Sequence, residues 1–351
     1  MDTPYDYIKL LIIIFIAIIS STIWIIYYPE QANNAKLNYW LFTTIRYYVA
    51  LMMIHYGLLK VFELQFPYPD LITLSETYGE SSPIQLTWAF LGYSKGYNCF
   101  IGFCELASFL LFFRQTMTIG AIITLITLLN VLAVNYFYDV SVKILSSTLF
   151  IMTLFLIIKD SKQLWLFFFI NKSAKLSMQK AIEVKSKLDQ CIKIIIKCLI
   201  VSLSLLYSLY YNWKLREQLN ERALIYKQIE GIYKVDKFIF EGDTLLPNIS
   251  NLNRWNKFII VKEGVAKVTY MNDSAAYFRI NLNLINKSIE FEKNSINLKF
   301  ILNYNLINTK LHLYGDISEK SYSILLTQTP LNNKLKPMRF HWVNPTSYFP
   351  K

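Results

Sequence analysis

Four cysteines and three histidines are all that this chain of 351 residues holds for thiol or soft-metal chemistry. Cys99, Cys104, Cys191 and Cys198 form no CxxC pair, and their spacings match no zinc or redox motif. They read as small apolar residues in apolar segments. His55, His312 and His341 are scattered along the chain and make no metal set. GxGxxG, Walker, HExxH, CxxCH and serine-nucleophile motifs are all missing, which removes support for phosphate-cradling, zincin and c-type haem chemistry. Acidic residues are short as well: 24 Asp and Glu stand against 36 Lys and Arg, a net charge of +12. The lysines are dispersed among Ile and Asn, with no basic block interleaved with aromatics, so nucleic acid is excluded as a partner.

What is present is apolar. The composition is 54% hydrophobic and 16% aromatic, above the soluble norm, and the excess falls in blocks before about residue 211. Six blocks have membrane length: 8–28, 40–62, 97–113, 117–137, 142–158 and 194–211. The first competes with a signal peptide, but Asp2 and Asp6, its length and the lack of a small-residue cleavage site argue for a span. Between the second and third lies a polar segment, 63–95, punctuated by Pro67, Pro69, Gly79 and Pro83. A loop this long usually caps or lines something. The stretch 159–193 is rich in lysine and reads as cytoplasmic by the positive-inside rule, with 165–170 lying in the membrane interface. That parity puts 63–95 and everything after the sixth span outside.

Beyond a polar helical connector at 213–222 the pattern changes to period two. Segments 233–240, 266–271, 277–282, 288–292, 298–302, 310–314, 322–326 and 339–342 read as strands, with turns at 272–273, 286–287 and 315–316. Regular short strands joined by hairpins predict an all-β meander or an up-and-down barrel, whose closure removes exposed edges. Eight strands would enclose one small ligand or packed side chains. The expected fold is therefore an α-helical membrane bundle of about six spans plus a C-terminal β-barrel. Its divisions are 1–39, 40–158, 159–224 and 225–351.

Charge inside the apolar blocks marks candidate sites, because an ionisable residue in hydrocarbon is costly and needs a partner. The second block carries Arg46, His55 and Lys60. At 100° per residue Arg46 and Lys60 share a face, about 21 Å apart along the axis, and His55 lies nearly opposite Arg46. Snorkelling alone explains the two cations, and His55 reads equally as a packing histidine. Glu105, in the middle of the third block, must be protonated, paired or beside water. Lys60, Arg46, His55, Asn130 and Lys143 are its candidate partners, and a structural ion pair competes with a proton-handling or ligand-orienting role. Asn135, Tyr138, Asp139 and Lys143, with Gln65, read as a polar mouth at the outer end.

ArgTyrTyrValAlaLeuMetMetIleHisTyrGlyLeuLeuLys at 46–60, followed by GluLeuAlaSerPheLeuLeuPhePhe at 105–113 and Arg114, resembles the DoxX family of small four-helix membrane proteins over about 40–158. Arg46, Gly57, Lys60 and Glu105 stand at that pattern's recurrent positions, while Ala107 and Ser108 replace its usual glycine. GlnPhePro, SerPro, GlyTyrSer, AsnTyrPheTyrAspVal and the ArgPheHisTrp at 339–342 resemble its longer Bacteroidetes-type branch, and the C-terminal pattern resembles a lipocalin. Relatives of this kind are subunits of thiosulfate:quinone oxidoreductase or are tied to quinol oxidases and thiol stress. The resemblance implies a bacterial inner-membrane, multi-pass protein with a periplasmic C-terminal domain, linked to quinone or thiol redox. Glu105, Lys60 and His55 are then the reactive candidates, and Arg46, Asn130, Asn135 and Gln65 the residues around a quinone. The competing expectation is a non-enzymatic envelope protein whose barrel binds a hydrophobic ligand or a protein partner.

Overall fold

The computed structural model describes residues 2–28, 35–173, 187–293 and 298–330. The chain divides into a helical unit, Met1–Tyr68 with Ser82–Lys214, and a barrel unit, Pro69–Ser81 with Leu215–Lys351.

In the helical unit the apolar blocks form α1 (Pro4–Tyr27), α2 (Ala35–Val61), α5 (Lys95–Leu106), α6 (Met117–Phe137), α7 (Lys143–Ile158), α8 (Ser161–Ile170) and α9 (Lys187–Tyr226), whose tail continues into the barrel unit. Short helices α3 (Leu71–Ser75) and α4 (Pro83–Tyr93) break up the segment read as loop. Among the described residues, α1, α6 and Ile194–Tyr226 of α9 are long and apolar enough to cross a membrane, and the α7–α8 pair, bent by 76°, adds a fourth if it is one span. The sequence expects six. Arg46, His55 and Lys60 dilute the hydropathy of α2, and the third block stops being α-helical at Leu106, continuing as a 3-10 turn over Ala107–Phe112.

Contacts within this unit set helix directions. Lys197, early in α9, donates to the Tyr39 hydroxyl early in α2 at 3.4 Å. Further along both, His55 Nδ1 meets Ser208 Oγ at 3.1 Å, so α2 and α9 run parallel. The start of α1 sits at the α6–α7 junction, where the Asp2 amide donates to the Ser141 carbonyl and its carboxylate accepts from the Ile144 amide. The core is Val49, Ala50, Met53, Leu111, Met117, Leu128, Leu149 and Leu156 with their neighbours.

The barrel unit holds β1 (Gly231–Phe240), β2 (Asp243–Thr244), β3 (Trp255–Val261), β4 (Val265–Tyr270), β5 (Ala275–Asn283), β6 (Ser288–Lys293), β7 (Leu298–Ile307), β8 (Lys310–Ile317) and β9 (Lys320–Thr329). Neighbouring strands pair antiparallel, and β1 also pairs with β9, so eight strands close a barrel with β2 as a short extra pairing on β1. Alternation is clean where expected: Ala276, Phe278 and Ile280 point inward on β5, and Phe300, Leu302 and Tyr304 on β7. On β1 a register shift between Val235 and Lys237 inserts an extra residue. The inward set therefore runs Tyr233, Val235, Phe238, as a bulge requires. Rings fill the interior, with Phe291 stacked on Phe300 at 4.8 Å and edge-on to Phe278 at 5.8 Å.

Two expectations for this unit are corrected. β3 breaks the alternating pattern because Phe258, Ile259, Ile260 and Val261 are all buried. Phe258 and Ile260 enter the core, while Ile259 and Val261 pack outward against Ile72 of α3. Gly315 and Asp316 lie within β8, and the turn falls on Ser318 and Glu319, both with positive φ. The eighth strand expected at 339–342, with His341, lies outside the described residues.

Candidate functional site

The residues that converge are Lys60, Glu105 and Gln65. Lys60 ends α2 and Glu105 ends α5, and the two helices cross where glycine faces glycine. A Cβ at Gly57 would come within 2.9 Å of the Gly102 carbonyl, and one at Gly102 within 2.8 Å of the Gly57 carbonyl. Each charged residue sits three positions after its glycine, on the same face and about one turn along. The backbone contact thus delivers the ammonium to the carboxylate. Lys60 Nζ donates to Glu105 Oε1 at 2.8 Å and Oε2 at 2.7 Å. Both residues are nearly sealed, at 4% and 2% exposure.

Beyond α2 the chain turns through Glu63, at positive φ, and brings Gln65 back so that its Oε1 accepts a third bond from Lys60 at 2.9 Å. An ammonium has three hydrogens to give, and here all three have acceptors. Phe66 lies 5.4 Å from the ammonium and packs edge-on to Trp88, while its carbonyl accepts from Asn98 Nδ2 at 2.8 Å. The pair is enclosed and mutually satisfied, the condition under which buried charge is tolerated.

Of the open choices for Glu105, the structure selects Lys60. Arg46 lies toward the other end of α2, buried to 1% exposure, with one terminal nitrogen 3.8 Å from the Met117 sulfur. Lys143 pairs with Asp139. His55 turns to α9, where Ser208 also accepts from Asn212 Nδ2 at 3.5 Å, so His55, Ser208 and Asn212 form a polar track along the α2–α9 seam. Asn130 is on the exposed face of α6, and Asn135 is buried at that helix's far end with its Nδ2 unpartnered. Arg46, Asn130, Asn135 and Gln65 are therefore not one binding set. Ser208 and Asn212 escape the sequence reading, although Lys197, Val201, Leu205, Ser208 and Asn212 recur at the three- and four-residue spacing of a packed helix stripe.

An apolar groove of about 390 Å³ lies on the same unit, lined by Ile54 and Leu58 of α2, Phe103, Leu106 and Phe109, and Leu205 and Leu209 of α9. Lys60 and Glu105 do not line it. Leu106, next to Glu105, packs against Gly57, and the His55–Ser208 contact lies between lining residues of α2 and α9.

The barrel unit carries its own polar clasp. Glu76 Oε1 accepts from Lys267 at 2.7 Å and from the Tyr277 hydroxyl at 3.0 Å, fastening the segment around α3 to β4 and β5. Burial opposes the Lys267 charge, but these hydrogen bonds outweigh it and hold its pKa above the ordinary lysine value. His312 Nε2 meets Ser323 Oγ at 2.8 Å across β8 and β9.

Over 121 residues, 34% of its length, the chain is 35% identical to a protein of Bacillus subtilis (strain 168) that bears the name Uncharacterized protein YwoB, and the match covers 77% of that protein. No family model matches the chain, and no solved structure matches it significantly.

Proposed function

The chain belongs to the family of the uncharacterized Bacillus subtilis protein YwoB, and from that premise we propose that it is a DoxX-like, multi-pass inner-membrane protein serving as a quinone- or thiol-linked redox subunit. The observation that carries this reading is the sealed Lys60–Glu105 pair at the Gly57/Gly102 crossing. Ionisable groups at membrane depth are retained for function by default, and these positions are the ones on which the DoxX resemblance rests.

Helix directions support six alternating spans. Tyr39, Arg114, Lys159 and Lys197 fall on the end of the bundle read as cytoplasmic, while Asp2 and Ser141 fall on the other. At 1.5 Å per residue the 27 residues of α2 rise about 40 Å, and the twelve of α5 with six of 3-10 helix would rise about 30 Å if collinear, enough for hydrocarbon. α1 presents Ile12, Ile13, Phe15 and Ile16 outward and buries none of its residues, as a lipid-facing helix does. By the same parity the barrel is periplasmic.

Whereas the hydrogen bonds of the ion pair are already made, the Ile, Leu and Phe lining of the groove would take the apolar ring and tail of a quinone. Bound there, a quinone would supply two-electron redox chemistry. The chain's own part is to hold the ring in the groove, beside the α2–α9 seam that carries the His55–Ser208 contact, with the Lys60–Glu105 clasp fixing the α2–α5 crossing against which Leu106 packs. Lipid extracts of the purified full-length protein, read by mass spectrometry, test this. Quinone is expected with the wild type, and it should be lost from Leu209→Trp, which fills the groove, and reduced in Glu105→Gln. Equal quinone in all three, or none in the wild type, would sink the reading. The alternative, a non-enzymatic envelope protein acting through its barrel, is favoured by the closed eight-stranded fold. The ring-filled interior turns that alternative toward a protein partner on the outer wall.

A further inference from the structure

At the end of the helical unit away from Lys60, three helices and one turn deliver cations to one place. Tyr39 and Arg46 come from α2, Arg114 from the turn before α6, Lys159 from the end of α7 and Lys197 from the start of α9. Lys197 donates to the Tyr39 hydroxyl at 3.4 Å, and the Arg114 guanidinium lies 5.9 Å from the Tyr39 ring. Arg114 and Lys159 are both within electrostatic reach of Arg46. Asp160, fully buried, accepts from Thr118 at 2.7 Å and pairs with Lys159 at 3.8 Å.

Burial is graded. Arg114, Lys159 and Lys197 are half-buried and form a rim. Arg46 forms the floor, and its Nε is enclosed with no hydrogen-bond partner. A guanidinium offers five donors in a planar fork suited to phosphate oxygens; here one terminal nitrogen meets the Met117 sulfur and the Tyr47 ring lies 5.4 Å away, but the Nε donor is unsatisfied, which is costly in a sealed site. Basic pockets between helices on the cytoplasmic side are where anionic headgroups seat.

We propose that this cluster is a binding site for a phosphate-bearing anion, namely the headgroup of an anionic phospholipid, with Arg114, Lys159 and Lys197 on the phosphate and Arg46 beneath it. The proposal rests on the membrane reading above. Native mass spectrometry of delipidated full-length protein, titrated with phosphatidylglycerol, with phosphatidylcholine of the same chains or with inorganic phosphate, tests it. Phosphatidylglycerol is expected to bind about tenfold tighter than phosphatidylcholine, the worth of one charge-assisted hydrogen bond. The preference should vanish in Arg114→Gln/Lys197→Gln and persist in Lys299→Gln/Lys310→Gln, an equal charge change on the barrel. Equal binding of the two lipids, or an unchanged preference in the Arg114/Lys197 variant, would overturn it. Inorganic phosphate binding as tightly as phosphatidylglycerol would overturn the headgroup as the source. Failure of both lipids to bind would remove the membrane reading along with the site, which keeps the two failures apart.

Discussion

The two units bury opposite things. Among the described residues the fully buried polar and charged side chains, Arg46, Lys60, Asn98, Glu105, Asn135, Asp160 and Asn212 among them, lie in the helical unit, with Arg254 as the exception in the barrel. Arg254 spends its guanidinium on the Leu245 and Trp255 carbonyls. The barrel centre is rings and aliphatics, and the unit's largely buried ion pair, Glu76 with Lys267, lies outside that centre. The helical unit turns this round, showing Ile, Leu and Phe on its outer faces and enclosing ions. A domain stabilised by withdrawing apolar surface from water keeps salt bridges out of its apolar centre. A bundle whose outside is apolar gains little from burying more of the same, so close backbone packing and polar contacts specify its helix pairs.

The sharpest way to break that contrast is to remove half of the Lys60–Glu105 pair. Lys60→Met or Glu105→Leu alone leaves an uncompensated charge in a sealed site and should cost about 3–5 kcal/mol, read as a lowered thermal midpoint in detergent or as failure to accumulate. Lys60→Met combined with Glu105→Leu should recover most of that loss. If the double variant is as unstable as the sum of the singles, the pair is not coupled and the geometry assigned to it is wrong.

How much of this pair was legible without coordinates follows from its chemistry. Glu105 announced itself because no carboxylate at mid-span can be left alone, yet five partners stayed open. Periodicity places a residue on a face but not which helix faces it. What decided among them was Gly57 against Gly102, and a glycine in an apolar run carries no directional signal. The barrel failed differently. Seven of its strands were readable from alternation, and β3 was hidden because α3 covers its outer side and erases the polar half of the pattern. For the same reason Pro69–Ser81, far away in sequence and read as part of a capping or lining loop within the 40–158 membrane core, belongs with the barrel.

The glycine crossing gives the next effect down. In Gly102→Ala the new methyl would stand 2.8 Å from the Gly57 carbonyl and 2.9 Å from a Val61 methyl. The backbone carbonyl cannot swing aside, so the helices must separate. A cost of about 1–3 kcal/mol is expected, as for other overpacked contacts. Gly79→Ala, where a Cβ meets nothing, should leave the midpoint near the wild-type value, and equal losses from both substitutions would show that the crossing is not tight.

The smallest effect asks what an enclosed carboxylate costs the barrel when, unlike Glu76, it has no cation bonded to it among the described residues. Glu263, in the β3–β4 hairpin, has an enclosed Oε2 with no hydrogen-bond partner. Burial raises its pKa above the ordinary 4.5, outweighing a backbone hydrogen bond and the pull of Lys262, with smaller pushes from Asp70 and Glu230. A carboxyl that binds its proton more tightly when folded favours the fold at low pH, and that contribution fades as pH rises through the folded-state value. Above that folded-state value the wild type carries an ill-placed charge. Glu263→Gln should melt at a higher temperature than the wild type there, and the gap should close as pH falls toward about 4, where both side chains are neutral. Lys60–Glu105 should give no such rescue, because Glu105→Gln strands the lysine. A pH-independent gap for Glu263→Gln, or a less stable variant at pH 7, would mean that the barrel accommodates this charge after all and that the contrast between the two units is one of degree.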